Sequence, residues 1–197
     1  MTRRCLIGLM LPVMVGCQHA ETRPIPPELP AELIELHARR VRCLEAHKGS
    51  TSIFPPECET FDQQAAARLE VVITQYGWPT AKRVGEKARE AAFMVIQHAP
   101  PSFDPLREKV LPDLQAEVVR GEESGAELAL FTDRLLVHQG RPQRYGSQFH
   151  RVDGGMAPHP IEDEAHVDER RRQMGLQPFA QYAAGFAHWD DPPDAGQ

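Results

Sequence analysis

Apolar residues between Thr80 and His98 recur at the interval of a helix, and this stretch limits the fold more strongly than any other part of the chain. Thr80 is a suitable N-cap, and Gly85 and the alanines after it are expected to let a neighbouring helix approach closely. One face is formed by residues at offsets of 0, 4, 7, 11 and 14, namely Val84, Ala88, Ala91, Val95 and His98. We therefore predict a central helix that other helices enclose, with His98 on its buried side.

Prolines and glycines divide the rest of the chain into further helical segments. Pro79 ends the segment that begins near Asp62. Pro112 predicts a kink or a restart within the helix that begins at Pro105. The predicted helices span approximately residues 31–48, 62–76, 80–98, 105–120, 125–139, 163–174 and 178–186.

One segment departs from helical spacing. Pro142 favours an extended start for residues 143–152, and Asp153-Gly154-Gly155 is a hairpin signal that returns the chain toward Pro160. A lone hairpin is only marginally stable in water, so this one is expected to pack on the helices. The sequence thus predicts a mainly α fold, a compact multi-helix domain over residues 31–188 with one small β-hairpin.

The N-terminus has the features of an export signal. Arg3 and Arg4 precede a short apolar run that ends at Gly16-Cys17. That run is too short to span a bilayer, which needs about 20 apolar residues. It resembles a bacterial lipoprotein signal over residues 1–16, with Cys17 as the lipidated first residue of the mature protein. An ordinary secretory signal is the alternative, and both general secretory and twin-arginine export stay open.

Residues 17–30 are rich in proline and are interpreted as an extended tether between the lipid and the domain. Because Gln18 rather than Asp follows Cys17, the usual lipoprotein sorting pattern favours the outer membrane, with the domain facing the periplasm. The acidic, proline-containing tail, residues 189–197, is expected to be disordered.

Charge and cysteine content agree with export. The net charge of -6 becomes -8 without Arg3 and Arg4, which makes nucleic acid a poor partner because its phosphates would be repelled. Cys43 and Cys58 remain as one candidate disulfide, with two buried free thiols as the alternative. In the first helix the run of basic residues is most simply a solvated face, formed by Arg39, Arg40 and Arg42.

Several short motifs occur together in a fixed order. They are Tyr76-Gly77-Trp78-Pro79-Thr80, Ala91-Ala92-Phe93 with Gln97-His98-Ala99, Thr132-Asp133-Arg134, Gln143 with Tyr145-Gly146-Ser147-Gln148, and Val167-Asp168-Glu169-Arg170-Arg171 with Gly175-Leu176. The combination resembles a bacterial family of unknown function whose members carry Gly-Trp-Pro, Gln-His, Asp-Arg and Tyr-Gly-Thr-Gln motifs in this order. Ser147 stands where Thr is expected and keeps the hydroxyl. The resemblance implies a mostly helical fold and no particular activity.

The polar residues of these motifs are the candidates for a functional site. Asp133 shares a helix face with apolar residues, where an ionised carboxylate needs a partner. The candidate partners are backbone amides or the side chains of His98, Arg134, Arg170 and Arg171. His98 and Asp133 form the candidate catalytic pair, although a satisfied core histidine and a buried ion pair explain them equally well. Side chains suited to a small polar ligand complete the candidate set as ligand-binding residues: Arg134, Gln143, Tyr145, Gln148, Arg170 and Arg171.

Three functions are compatible with these residues. The first is a lipid-anchored envelope protein that binds a small polar ligand. The second is a hydrolase with His98 as general base and Asp133 orienting it. The third is an envelope interaction protein whose polar residues form an internal network. Metal-binding and phosphate-binding motifs are absent from the sequence, so we predict neither a metal nor a cofactor, and protein partners are not indicated.

Overall fold

A computed structural model describes residues 23–47, 55–153 and 155–186, and over these residues the fold is mainly α with one small hairpin, as predicted. The predicted signal, Cys17 and the tail 189–197 lie outside the described residues. The helices are α1 (Leu29–Ala46), α2 (Pro56–Tyr76), α3 (Ala81–Val84), α4 (Glu86–His98), α5 (Asp104–Val119), α6 (Gly125–His138), α7 (Val167–Gln173) and α8 (Phe179–Ala184). The strands are β1 (Phe149–Val152) and β2 (Gly155–Pro158). No described helix combines the length and the apolar character needed to cross a membrane.

Helix α4 lies at the centre of the core. It packs against α1 and α2, and the ring of Phe93 lies 6.2 Å from that of Phe131 on α6. Its Arg89 is buried and pairs with the buried Glu117 of α5 at 2.8 Å. The prediction of an enclosed central helix therefore describes α4 correctly, and its C-terminal end carries His98 toward α6.

The predicted single helix over residues 80–98 is wrong at Gly85. The chain forms two helices there, because Gly85 has a φ of +83°, a conformation that glycine adopts without steric cost. A Cβ atom at this position would meet nothing within 4 Å. Gly85 thus serves to redirect the chain between α3 and α4, and not to admit a neighbouring helix.

The first two helices begin earlier than predicted. Helix α1 starts at Leu29, whose side chain is 1% exposed, so the end of the proline-rich segment already belongs to the core. Helix α2 starts at Pro56 instead of about residue 62. A disulfide joins Cys43 in α1 to Cys58 in the first turn of α2, and it closes a loop of 15 residues. Such a loop stabilises a fold by roughly 3 kcal/mol in the chain-entropy model.

The structure excludes one of the two alternatives predicted at Pro112 and corrects the start of the predicted strand. Helix α5 runs through Pro112 with no restart, and because Pro112 and Glu108 are both exposed, water can satisfy the carbonyl that the proline cannot. The extended segment predicted from residue 143 is a strand only from Phe149, where β1 pairs with β2 in an antiparallel register that sets Val152 opposite Gly155. Residues 143–148 instead form a loop against α6.

Candidate functional site

The carboxylate of Asp133 is buried and organises the loop 143–148. Its oxygens accept hydrogen bonds from the backbone amides of Arg144 at 2.7 Å, Tyr145 at 3.0 and 3.2 Å and Ser147 at 2.9 Å. Burial raises the pKa of the Asp133 carboxyl, and the amide hydrogen bonds oppose that effect. Of the candidate partners of Asp133, the structure therefore pairs it with backbone amides, and not with the side chain of His98 or of an arginine.

Gly146 allows the loop to take this shape. Its φ is +68°, and a Cβ atom there would lie 2.8 Å from ring atoms of Phe179. The loop consequently turns its amides toward α6 while the Phe179 ring covers its outer side. The close approach at Gly146 is therefore made by a side chain of the same protein.

Gln143 closes the loop from the other side. Its amide nitrogen donates to the carbonyl oxygens of Gln148 at 3.0 Å and His159 at 2.8 Å, and its Oε1 accepts from the amide of Gln148 at 2.8 Å. The Gln143 side chain is fully buried. Both ends of this side chain are thus engaged in holding the backbone of Gln148.

Gln148, held in this way, fixes the direction of Arg134. Its Oε1 accepts from Arg134 Nε at 3.0 Å, and its own amide nitrogen donates to Ser147 Oγ at 3.0 Å. Arg134 makes no ion pair with any residue that the structure describes. Burial, with Arg107 and Arg40 nearby, lowers the pKa of Arg134 to about 10, so the guanidinium stays charged at neutral pH. Its two terminal nitrogens make no hydrogen bond to a residue that the structure describes.

Arg134 and His98 line the same cavity, which has a volume of about 360 Å³. The cavity lies where α1, the start of α2, the end of α4 and α6 meet. Its polar lining consists of Arg40, Glu59, Asp62, His98, Arg134 and His138, and its apolar lining of Leu44, Pro55, Cys58, Ala99, Pro100 and Pro101. A cavity of this size suits one small molecule.

His98 is half-buried in the cavity wall and uncharged. Burial, with the positive charges of Arg40 and Arg134 nearby, lowers its pKa from 6.5 to about 3. Its ring nitrogens have no hydrogen-bond partner among the described residues. Asp133 is bonded to the loop amides, and it does not contact His98, so the structure does not assemble the candidate catalytic pair.

Three of the candidate ligand-binding residues stabilise or form the loop 143–148. Arg170 and Arg171 bind its backbone, and Tyr145 is part of it. Arg170 Nε donates to the carbonyl of Arg144 at 2.8 Å, and Arg171 donates to the carbonyls of Tyr145 and, at 2.7 Å, Gln177. Arg171 is 1% exposed, and its guanidinium carbon lies 4.8 Å from the centroid of the Tyr182 ring. Of the six candidate ligand-binding residues, Arg134 alone lines the cavity beside His98.

Residues of α1 and α5 also contribute to this region, and they were not predicted from the sequence. Arg40 was expected on a solvated face but is 8% exposed, and its Nε lies 2.9 Å from Asp62 Oδ1. Asp104 accepts from Arg107 Nη1 at 2.5 Å and lies 2.9 Å from Nδ1 of His138. Arg39 and Arg42, in contrast, are exposed as predicted. A pairing across 22 residues leaves no local signal in the sequence.

One group of three side chains has the composition of a metal site. Ligand atoms of Cys43, His47 and Cys58 lie within 4.8 Å of one another. Because the two sulfurs are bonded to each other, they offer no thiolate in this state. The group therefore cannot hold a metal ion as the structure stands.

These features define a mainly helical domain in which a buried carboxylate orders a loop, and the loop aims an arginine into a cavity. The chain belongs to the family of unknown function DUF6624, whose model matches residues 51–192. No curated protein and no solved structure matches the chain. His98, Asp133 and Arg134 lie within the matched residues, whereas Arg40 lies before them.

Proposed function

We propose that this protein is an exported, lipid-anchored protein of the bacterial cell envelope whose helical domain binds a small polar ligand. The apolar run ending at Gly16-Cys17 supports the anchor, and Gln18 supports an outer-membrane position with the domain facing the periplasm. The cavity beside Arg134 and His98 supports the binding function.

One observation carries the binding proposal. Arg134 is half-buried, charged and without an acidic partner among the described residues, yet its Nε is held by Gln148. A buried cation without a counter-charge lowers stability, so an arrangement that preserves one suits a ligand that supplies the charge. The Nη1 and Nη2 atoms of an arginine held by its Nε form a fork that matches a carboxylate or a phosphate.

Hydrolysis with His98 as general base is less favoured by the same geometry. An efficient general base has a pKa near the working pH, and the pKa of His98 is about 3. Asp133, the group proposed to orient it, is bonded to three amides of the loop. Neutral His98 suits ligand binding better, because one ring nitrogen donates while the other accepts.

The purely structural alternative explains part of the polar set. Four of these side chains make hydrogen bonds to the protein backbone, namely Asp133, Gln143, Arg170 and Arg171. It does not explain Arg134, since a network that served stability alone would gain from an acidic residue at its open end. We regard the network as the support that positions Arg134.

Arg134→Gln is expected to remove ligand binding while leaving the fold intact. The variant should lose a small molecule that native mass spectrometry detects on the wild-type protein, or bind it at least tenfold more weakly, because one charge-assisted hydrogen bond contributes about 1.5–3 kcal/mol. Arg141→Gln, an exposed arginine beyond the end of α6, is the matched control and should behave as wild type. Equal retention by wild type and the Arg134 variant, or an empty wild type that no polar metabolite stabilises against heat, would count against the proposal.

Cys17→Ser is expected to release the protein from the membrane. Lipid on Cys17 would be the anchor, so the variant should move from the membrane fraction to the soluble fraction and fail to incorporate a radiolabelled fatty acid. Cys5→Ser, within the predicted signal, is the control and should leave lipidation unchanged. Membrane retention and labelling of the Cys17 variant would exclude this anchor.

A further inference from the structure

Two of the charged side chains in the cavity wall form no ion pair with a described residue. Four charged side chains line it, namely Arg40, Glu59, Asp62 and Arg134. Arg40 and Asp62 neutralise each other, with Nε and Oδ1 at 2.9 Å. One cation, Arg134, and one anion, Glu59, remain without an ion pair among the described residues.

The two unpaired charges lie in different surroundings. Arg134 is half-buried on α6 and held by Gln148, so its charge is fixed at the inner side of the cavity. Glu59 is exposed in the first turns of α2, so its charge lies at the rim, near the Arg40–Asp62 pair. The wall also carries apolar surface from Leu44 and Pro101.

A ligand with a single sign of charge fits this lining poorly. A dianion would bring its second charge toward Glu59 and Asp62, and a cation would meet Arg134, whose repulsion a low-dielectric wall would strengthen. A molecule that carries both a carboxylate and an ammonium would compensate both unpaired groups. The neutral imidazole of His98 adds a hydrogen-bonding group without adding charge.

We propose that the cavity binds a zwitterion, specifically a free α-amino acid with an apolar side chain. Its carboxylate would receive two hydrogen bonds from Nη1 and Nη2 of Arg134, its ammonium would face Glu59 and Asp62, and its side chain would contact the proline and leucine surface of the wall. This inference rests on the proposed function, since it names the ligand class for the same cavity.

The test compares three forms of one ligand by isothermal titration calorimetry on the mature wild-type protein. Leucine, isoleucine, valine and phenylalanine are the probes, each beside its N-acetyl derivative, which lacks the ammonium, and its amide, which lacks the carboxylate. At least one amino acid should bind, its N-acetyl derivative at least tenfold more weakly, and its amide not measurably. Glu59→Gln should narrow the gap between the amino acid and its N-acetyl derivative, whereas Arg134→Gln should abolish binding of both.

Three outcomes would overturn the zwitterion, and a fourth would overturn the proposed function as well. Equal affinity for an amino acid and its N-acetyl derivative, or tighter binding of inorganic phosphate, would make the ligand a simple anion. Absence of binding by every probe, with an Arg134-dependent molecule still found by native mass spectrometry, would reject the ligand class and retain the proposed function. Absence of both would reject the proposed function. The Glu59→Gln variant is expected to fold as wild type does, because Glu59 is exposed and makes no ion pair with a described residue. A change in its binding can therefore be assigned to the lost charge.

Discussion

Asp133→Ala is expected to lower the free energy of unfolding by about 4 kcal/mol, because it leaves the buried amides of Arg144, Tyr145 and Ser147 without an acceptor. Each buried donor without a partner costs roughly 1–3 kcal/mol. Water that enters the space left by the carboxylate would recover part of the loss. Urea unfolding followed by far-ultraviolet circular dichroism measures the change.

The same variant should also lose ligand affinity, since the loop that carries Gln148 no longer has its anchor and Gln148 no longer directs Arg134. The stability of Asp133→Asn should lie between those of wild type and Asp133→Ala. One oxygen of the asparagine can still accept a hydrogen bond, but its NH₂ group is a donor placed against the donor amides of the loop. Asp113→Ala, at an exposed carboxylate on α5, is the control and should change stability by less than about 0.5 kcal/mol. If Asp133→Ala lowered the free energy of unfolding no more than Asp113→Ala does, the carboxylate of Asp133 would not order the loop.

Helical periodicity and proline positions predicted most of the fold. The interval of apolar residues led correctly to a central helix, and the turn signal led correctly to the hairpin. The pattern failed at Gly85, which redirects the chain inside an otherwise regular helical sequence. Of the two alternatives predicted at Pro112, the restart is excluded, because the proline is tolerated where its side of α5 is exposed.

The start of α2 was missed for a different reason. Residues 56–61 have little apolar periodicity, and the covalent link between Cys58 and Cys43 brings that first turn of helix against α1. The sequence leaves open whether Cys43 and Cys58 are paired, so it does not establish that the segment around Cys58 is held against α1.

The site was predicted in its components but not in its geometry. The sequence correctly required a partner for Asp133 and left side chains and backbone amides open as candidates, and the structure shows that the partners are amides of a loop. Gln143 and Gln148 were grouped with Arg134, yet only the three-dimensional arrangement shows that they hold it. Arg40 and Asp62 come from two helices with no shared motif, so their contribution depends on tertiary packing alone.

Acidification is expected to destabilise the wild-type protein through His98. Burial lowers the pKa of this imidazole from 6.5 to about 3. Below pH 6.5 the unfolded chain therefore binds a proton that the folded protein excludes, and its stability falls by roughly 1.4 kcal/mol for each pH unit. The stabilising contribution is complete above pH 6.5 and is lost as the pH falls toward 3. Between pH 6.5 and 4 the loss attributable to His98 amounts to about 3 kcal/mol.

His98→Gln should remove this part of the acid sensitivity, because glutamine does not titrate. The variant and the wild type are compared by urea unfolding at half-unit steps from pH 7.5 to 4, and the wild-type curve should fall toward or below that of the variant as the pH decreases. His166→Gln is the control. The pKa of the exposed His166 is raised by Asp163, an effect of opposite sign that contributes stability below pH 6.5, so this variant should keep the full acid sensitivity of wild type. Parallel curves for wild type and His98→Gln would mean that His98 titrates in the folded protein as it does in the unfolded chain. His98 would then add a positive charge to the cavity below about pH 6.5, in contrast to the uncharged imidazole described above.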